Sequence, residues 1–173
     1  MIYSRIVAAV PTIPNEIYRL IRVNDTLLLK EMCDKIILCM NGSLKYEYFL
    51  ISRNQRYVPQ EFKHKEKADK ILDDTRFGDL QPKKDDVLIL SYRFEDYWDF
   101  KITITSRDCK GPLYNDVDFE ILNGYGKGII EKLEGMYELE AFVKGLYTEK
   151  EKQKLKLQDV DMYDYDIGDY GIY

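Results

Sequence analysis

Two runs near the middle of the chain constrain the fold more than any other feature. Val87 to Phe94 and Trp98 to Ser106 are rich in Val, Ile, Tyr, Phe and Thr, the residue types that suit a pleated, half-buried surface. Only Glu95, Asp96 and Tyr97 separate them, and that polar tripeptide reads as the tip of an antiparallel hairpin. The pair is expected to form the centre of a sheet. A second hairpin is expected from Ile2 to Val10 and Ile17 to Val23, joined by a turn that contains Pro11, Pro14 and Asn15. Tyr46 to Val58 reads as one further strand, and Phe119 to Leu122 as another.

Helices enter at three places. Leu29, Met32, Cys33, Ile36, Ile37 and Met40 recur at the three- and four-residue spacing of one buried helix face. Asn24 or Asp25 is placed to cap that helix, and Asn41-Gly42 to end it. A second helical pattern carries Leu139, Phe142, Val143 and Leu146, and Thr148 with Glu151 has the capping-box spacing that opens a third, charged helix to about Gln158. Between Gln60 and Asp86 the chain is lysine-rich and then turn-rich, its least regular part. At 173 residues, 45% of them apolar, one core suffices. The fold class is α+β: a mixed or mainly antiparallel sheet with helices packed on it, in a single domain over 1–147, followed by a charged helix over 148–158 and an acidic tail over 159–173.

Charge is distributed unevenly. The formal net charge is −5, and residues 159–173 hold five aspartates and no base, so the body carries 26 acids against 26 bases and the whole excess sits in the tail. Cys33, Cys39 and Cys109 are odd in number and form no C-x-x-C pair, which fits buried thiols in a reducing compartment better than a disulfide framework or a zinc site. The first eleven residues hold one short apolar run without a cleavage pattern, and no run has a membrane-spanning length. These features predict a cytoplasmic protein with no membrane partner.

Three segments together resemble the plasmid pRiA4b open-reading-frame-three family, also called the transposon-passenger family. In the first, I-Y-R-L-I-R-V-N-D-T-L from Ile17 is similar to the family's strand, often I-W-R-R-I-x-V, and the helix that opens with T-L. In the second, Y-R-F-E-D-Y-W-D-F-K-I from Tyr92 resembles Y-D-F-G-D-x-W-x-H-x-I. In the third, the glycine-rich approach from Gly126 and the stretch to Phe142 resemble the family's E-D-x-G-G element and following helix. The resemblance spans roughly residues 15 to 145 and implies an α+β fold in a mobile genetic element, without an assigned reaction. The chain departs from the pattern at Lys132, where the family has aspartate, at Glu134, where it has glycine, and at Phe100, where it has histidine. If relatives use those polar groups as ligands or catalysts, this chain has lost several of them, which argues against metal-dependent chemistry here.

Each candidate site has an ordinary alternative. Asp96 and Glu131 form the carboxylate pair that a divalent metal would need, with Lys127 or Lys132 near a scissile phosphate. Equally, Asp96 fits a residue that stabilises its own hairpin turn, and Glu131 one that accepts from a glycine-rich loop. Gly124, Gly126 and Gly128 invite comparison with phosphate-cradling loops, but neither the P-loop nor the dinucleotide spacing is present, and positive φ angles account for them. His64 is the only histidine and lies among Lys63, Lys65 and Glu66, which suits a solvated position better than a nucleophile's partner. Arg53, Arg56, Lys63, Lys65, Lys67 and Lys70, with Tyr57 and Phe62 interleaved, have the composition of a nucleic-acid contact, diluted by Glu61, Glu66 and Asp69. In the tail, extended backbone would put Tyr163 and Tyr165 on one side and Asp164 and Asp166 on the other. Such a strip either docks on its own domain or binds a partner through Asp161, Tyr163, Asp164, Tyr165, Asp166, Asp169 and Tyr170.

Three functions follow from these features. The leading one is a mobile-element interaction protein, anti-CRISPR in type, that binds and inhibits a host defence nuclease or its complex with guide RNA, without a cofactor or metal. The second is a metal-dependent nuclease or phosphodiesterase built on Asp96 and Glu131. The third is a nucleic-acid-binding regulator that uses the lysine-rich segment.

Overall fold

The computed structural model describes residues 1–93, 96, 98–114 and 116–163. In chain order the strands are β1 (Tyr3–Ala9), β2 (Tyr18–Asn24), β3 (Tyr48–Ser52), β4 (Gln55–Val58), β5 (Lys70–Ile71), β6 (Val87–Tyr92), β7 (Trp98–Cys109) and β8 (Phe119–Tyr125). The helices are α1 (Leu29–Cys39), between β2 and β3, and α2 (Met136–Val143) and α3 (Glu149–Leu155), after β8. The strands form one mixed sheet in the order β5-β4-β3-β6-β7-β1-β2-β8. Every neighbouring pair is antiparallel except β4 and β5. The β6–β7 hairpin occupies the centre, as its composition requires, with Tyr92 opposite Trp98. Its buried positions alternate, with Trp98, Phe100, Ile102 and Ile104 on one face, and they join Met32, Cys33, Ile36 and Ile37 of α1 in one cluster. The α+β class and the single core therefore hold.

Several elements differ from the sequence expectation, each for a local reason. The segment from Tyr46 to Val58 is two strands rather than one. Arg53 and Asn54 both have positive φ, 48° and 64°, which gives the two-residue turn whose twist suits a tight hairpin, although neither residue is glycine. Neither Asn24 nor Asp25 caps α1. Asn24 ends β2 and joins Asp118 through its side-chain amide at 2.8 Å, while Asp25 pairs with Arg107 at 2.5 Å. The start of α1 is instead met by backbone: Leu28 bridges Arg76, and the Leu29 amide donates to the Thr75 carbonyl at 2.8 Å. The stretch read as irregular thus has a structural task. Its 3-10 turns, Leu72–Asp74 and Phe77–Leu80, bury Leu72, Phe77 and Leu80, and Phe62 is buried ahead of them. Leu146 falls beyond α2 and is exposed.

The end of α1 follows its sequence signal. Asn41 takes φ 63°, the Gly42 amide donates to the Ile37 carbonyl at 2.8 Å, and the Asn41 amide to that of Leu38 at 3.1 Å, the Schellman arrangement. Thr148 caps α3 by accepting from the Glu151 amide at 3.2 Å. Beyond α3, Leu157 and Met162 are buried in the common core, so the charged helix and the root of the tail pack onto the body.

The glycine-rich segment joins these parts. Asn123 and Gly124 extend β8, where they pair with Leu20 and Arg19. Gly126 and Gly128 then adopt φ 73° and 104°. A Cβ at Gly126 would lie 2.2 Å from the Glu16 carbonyl oxygen, and one at Gly128 the same distance from that of Met40. The fully buried Arg19 fixes this approach. Its guanidinium donates to the carbonyls of Cys39 at 2.9 Å, Tyr18 at 2.8 Å, Tyr125 at 2.9 Å and Lys127 at 3.1 Å. The loop is a latch between β2, β8 and the end of α1, and its glycines answer to that contact.

Two outcomes test this packing. Gly128→Ala is expected to cost about 2 kcal/mol or more, and Arg19→Met about 3 kcal/mol by stranding buried carbonyls, both read as a lower urea midpoint. Arg19→Lys should not restore the loss, because an ammonium cannot span the same fork of acceptors. Burial pushes the Cys33 and Cys39 thiols up, Cys39 to about 12, whereas Cys109 is half-exposed. Mass spectrometry after brief alkylation should therefore find Cys109 alone modified in the native protein and all three cysteines modified after unfolding.

Candidate functional site

The register of β3 against β6 creates a cleft. Tyr48 pairs with Tyr92, so the residues just before β3 meet those just after β6, and the Arg93 amide extends the ladder by donating to the Glu47 carbonyl at 3.0 Å. The loop between β4 and β5 then folds over this end of the sheet, because Phe62 is buried and the Lys63 amide donates to Glu47 Oε1 at 3.0 Å. Together the three segments enclose a cleft of about 430 Å³. Lys45, Tyr46 and Glu47 line one part of it, Lys63 and His64 a second, and Arg93 with Asp96 a third.

Its charges are unequally satisfied. Asp96 Oδ2 accepts from Arg93 Nε at 2.9 Å and lies 2.7 Å from Nη2, and the Arg93 guanidinium rests over the Tyr46 ring at 4.3 Å. Glu47 is engaged by the Lys63 amide and lies 3.6 Å from His64 Nε2. By contrast, the ammonium groups of Lys45 and Lys63 have no ion-pair partner among the described residues. Tyr92, the residue before Arg93, is held in place: its hydroxyl donates to the Ser43 carbonyl and accepts from the Ser43 amide, both at 2.8 Å, and burial pushes its phenol up.

Of the residues singled out from sequence for metal or phosphate chemistry, only Asp96 lines this cleft. Asp96 is in the cleft, committed to Arg93 within its own turn. Glu131 is exposed after the glycine latch, near enough to Tyr92 to act on its phenol, and no hydrogen bond joins it to Asp96 among the described residues. Lys132 Nζ donates to the Lys156 carbonyl at 2.9 Å, and the Lys127 amide to that of Met162 at 2.6 Å. No group of three metal-ligating side chains occurs among the described residues.

The basic segment divides in the same way. Arg53 bonds the Leu80 and Gln81 carbonyls and Asp86, while Lys65 bonds the Gln60 carbonyl and Lys70 lies over the Tyr57 ring. Arg56 grips Asp69 through Nε at 2.8 Å and Nη2 at 2.6 Å and stacks on Phe49 and Phe62. These contacts hold the loop; Lys63 and His64 face the cleft, and Lys67 is exposed. Phe100, in the family's histidine position, is fully buried, as is Trp98.

Of the tail, Asp161 is exposed, its side chain accepting from the Tyr163 amide at 2.9 Å, and the Tyr163 ring lies 5.5 Å from that of Tyr125. Asp164, Tyr165, Asp166, Asp169 and Tyr170 lie outside the described residues, as do Glu95 and Tyr97 of the expected hairpin tip. Sequence reasoning passed over Lys45, Tyr46, Glu47 and Arg93. Only Arg93 carried a signal, its three-residue spacing to Asp96 across a turn. No helix among the described residues is long and apolar enough to cross a membrane.

The hydrogen bond from Arg56 holds the Asp69 carboxyl below the usual carboxylate range. That stabilisation is complete above the unfolded value of about 3.9 and is lost as pH falls through the lower folded value. Asp69→Asn should therefore cost about 2 kcal/mol at neutral pH and flatten the acid limb of stability below about pH 4, read from urea midpoints across pH.

Comparisons with known proteins agree with this architecture. A crystal structure of a protein of unknown function from Methanosarcina mazei Go1 superposes with a TM-score of 0.78 at 15% identity, covering 97% of this chain and 96% of that one, which shows a shared fold. A comparison with curated proteins finds no match. The family model described as plasmid pRiA4b ORF-3-like protein matches residues 5–171, taking in the body, α3 and most of the tail, and the chain belongs to that family.

Proposed function

We propose that the protein acts by binding a partner: a mobile-element interaction protein that engages and inhibits a host nucleic-acid-handling defence enzyme, of the Cas nuclease and guide RNA kind. The observation that carries this reading is the anchored root of the acidic tail. Leu157 and Met162 are buried in the core, the Lys127 amide holds the Met162 carbonyl, and Tyr163 lies beside Tyr125. The segment holding Asp164, Tyr165, Asp166, Asp169 and Tyr170 therefore starts from a fixed point on the body, which lowers the entropy cost of presenting it to a basic nucleic-acid channel. The plasmid description of the family supports a mobile-element setting. The hydrolytic alternative draws no such support, because Asp96 is committed to Arg93 and Lys132 to the chain after α3.

The test is a cleavage assay with a Cas9-type nuclease, its guide RNA and target DNA, with both nucleic acids read on one gel. The full chain should suppress DNA cleavage and leave the guide intact. A chain ending at Tyr163 keeps the docked root and should inhibit about tenfold less at low salt, the gap narrowing as salt shortens the screening length. Unimpeded cleavage with the full chain, or equal inhibition by the shortened one, would overturn the reading.

A further inference from the structure

We infer that the cleft at the β3–β6 end is a binding site for the terminal phosphate of a nucleotide, free or at the end of a nucleic-acid strand. The inference does not depend on the tail. It starts from the charges: Lys45 and Lys63 both line one cleft and have no ion-pair partner among the described residues, while both carboxylates of the cleft, Glu47 and Asp96, are already engaged. Two unpaired cations suit a phosphate monoester, which carries close to two negative charges at neutral pH, better than an internal diester with one.

Arg93 adds direction to this charge. Its Nε and Nη2 are used on a single oxygen of Asp96, and Nη1 makes no hydrogen bond among the described residues, so donors remain for a ligand. Its guanidinium plane is held in advance by the Tyr46 ring beneath it, and its backbone by the bond to Glu47. A group fixed before the ligand arrives loses little freedom on binding. Asp96 Oδ1 also has no described hydrogen bond, which leaves an acceptor for a sugar hydroxyl or an exocyclic amine. The volume, about 430 Å³, falls in the range of small-molecule sites and accommodates a mononucleotide.

Lys45 and Lys63 are exposed, and their side chains hold no part of the fold, so both can be changed without disturbing it. Binding to the full chain would be measured for inorganic phosphate, a 5′-mononucleotide, and one short single-stranded oligonucleotide with either a 5′-phosphate or a 5′-hydroxyl. The phosphorylated oligonucleotide should bind at least about tenfold more tightly than the hydroxyl form. Lys45→Ala with Lys63→Ala should remove about tenfold or more of that affinity, while Lys67→Ala, outside the cleft, should leave it unchanged. Equal affinity of the mononucleotide and the phosphorylated strand would identify a free nucleotide as the ligand, and preference for the strand would identify its end. Indifference to the 5′-phosphate, full binding by the double variant, or no binding of any phosphorylated probe would overturn the inference. The nuclease assay with the shortened tail is unaffected by these variants, so the two readings fail separately.

Discussion

The buried guanidinium of Arg19 donates to four backbone carbonyls from three parts of the chain: Tyr18 within its own strand, Cys39 at the end of α1, and Tyr125 and Lys127 at the end of β8. A buried arginine is tolerated only when its donors are satisfied, and here satisfying them forces three separate segments to meet. The edge strand β8 is thereby tied to the helix. The glycines at 126 and 128 follow from that closeness, since any side chain there would strike a carbonyl. The Ile129 amide and the Asn41 side chain complete the latch, each at 2.8 Å.

The cleft has a different origin. It results from sheet register: pairing Tyr48 with Tyr92 brings the entry to β3 and the exit from β6 to one end of the sheet. The 60–69 loop forms the remaining wall because Arg56 pins it from below through Asp69 and the rings of Phe49 and Phe62. The arginines of the basic segment thus serve the scaffold, while Lys63 and His64 are presented at the cleft. The cations of the basic segment are divided by the fold into structural and accessible ones.

The same division applies to the acidic residues. Asp25, Asp69, Asp86 and Asp96 each hold an arginine, and five further aspartates stand in residues 159–173. The body is electrically balanced, with 26 acids against 26 bases, and the excess negative charge lies in the terminal segment.

Composition and spacing determined much of the architecture. The β6–β7 hairpin at the sheet centre, the β1–β2 hairpin, α1 with its Asn41-Gly42 end and α3 with its Thr148 cap could be read directly, because periodicity, turn residues and caps are local signals. The family could be read as well, since its three motifs stand in order along the chain. Only the tertiary structure decided the rest. The Arg53-Asn54 turn lacks the usual glycine, and the start of α1 is satisfied by distant backbone at Thr75, which no nearby residue announces. The employment of Arg53 and Arg56 as ties and the gathering of Lys45, Lys63 and Arg93 depend on contacts across many residues of sequence. Such contacts are set by sheet register and core packing, and no local pattern encodes which side chains those forces will bring to one place.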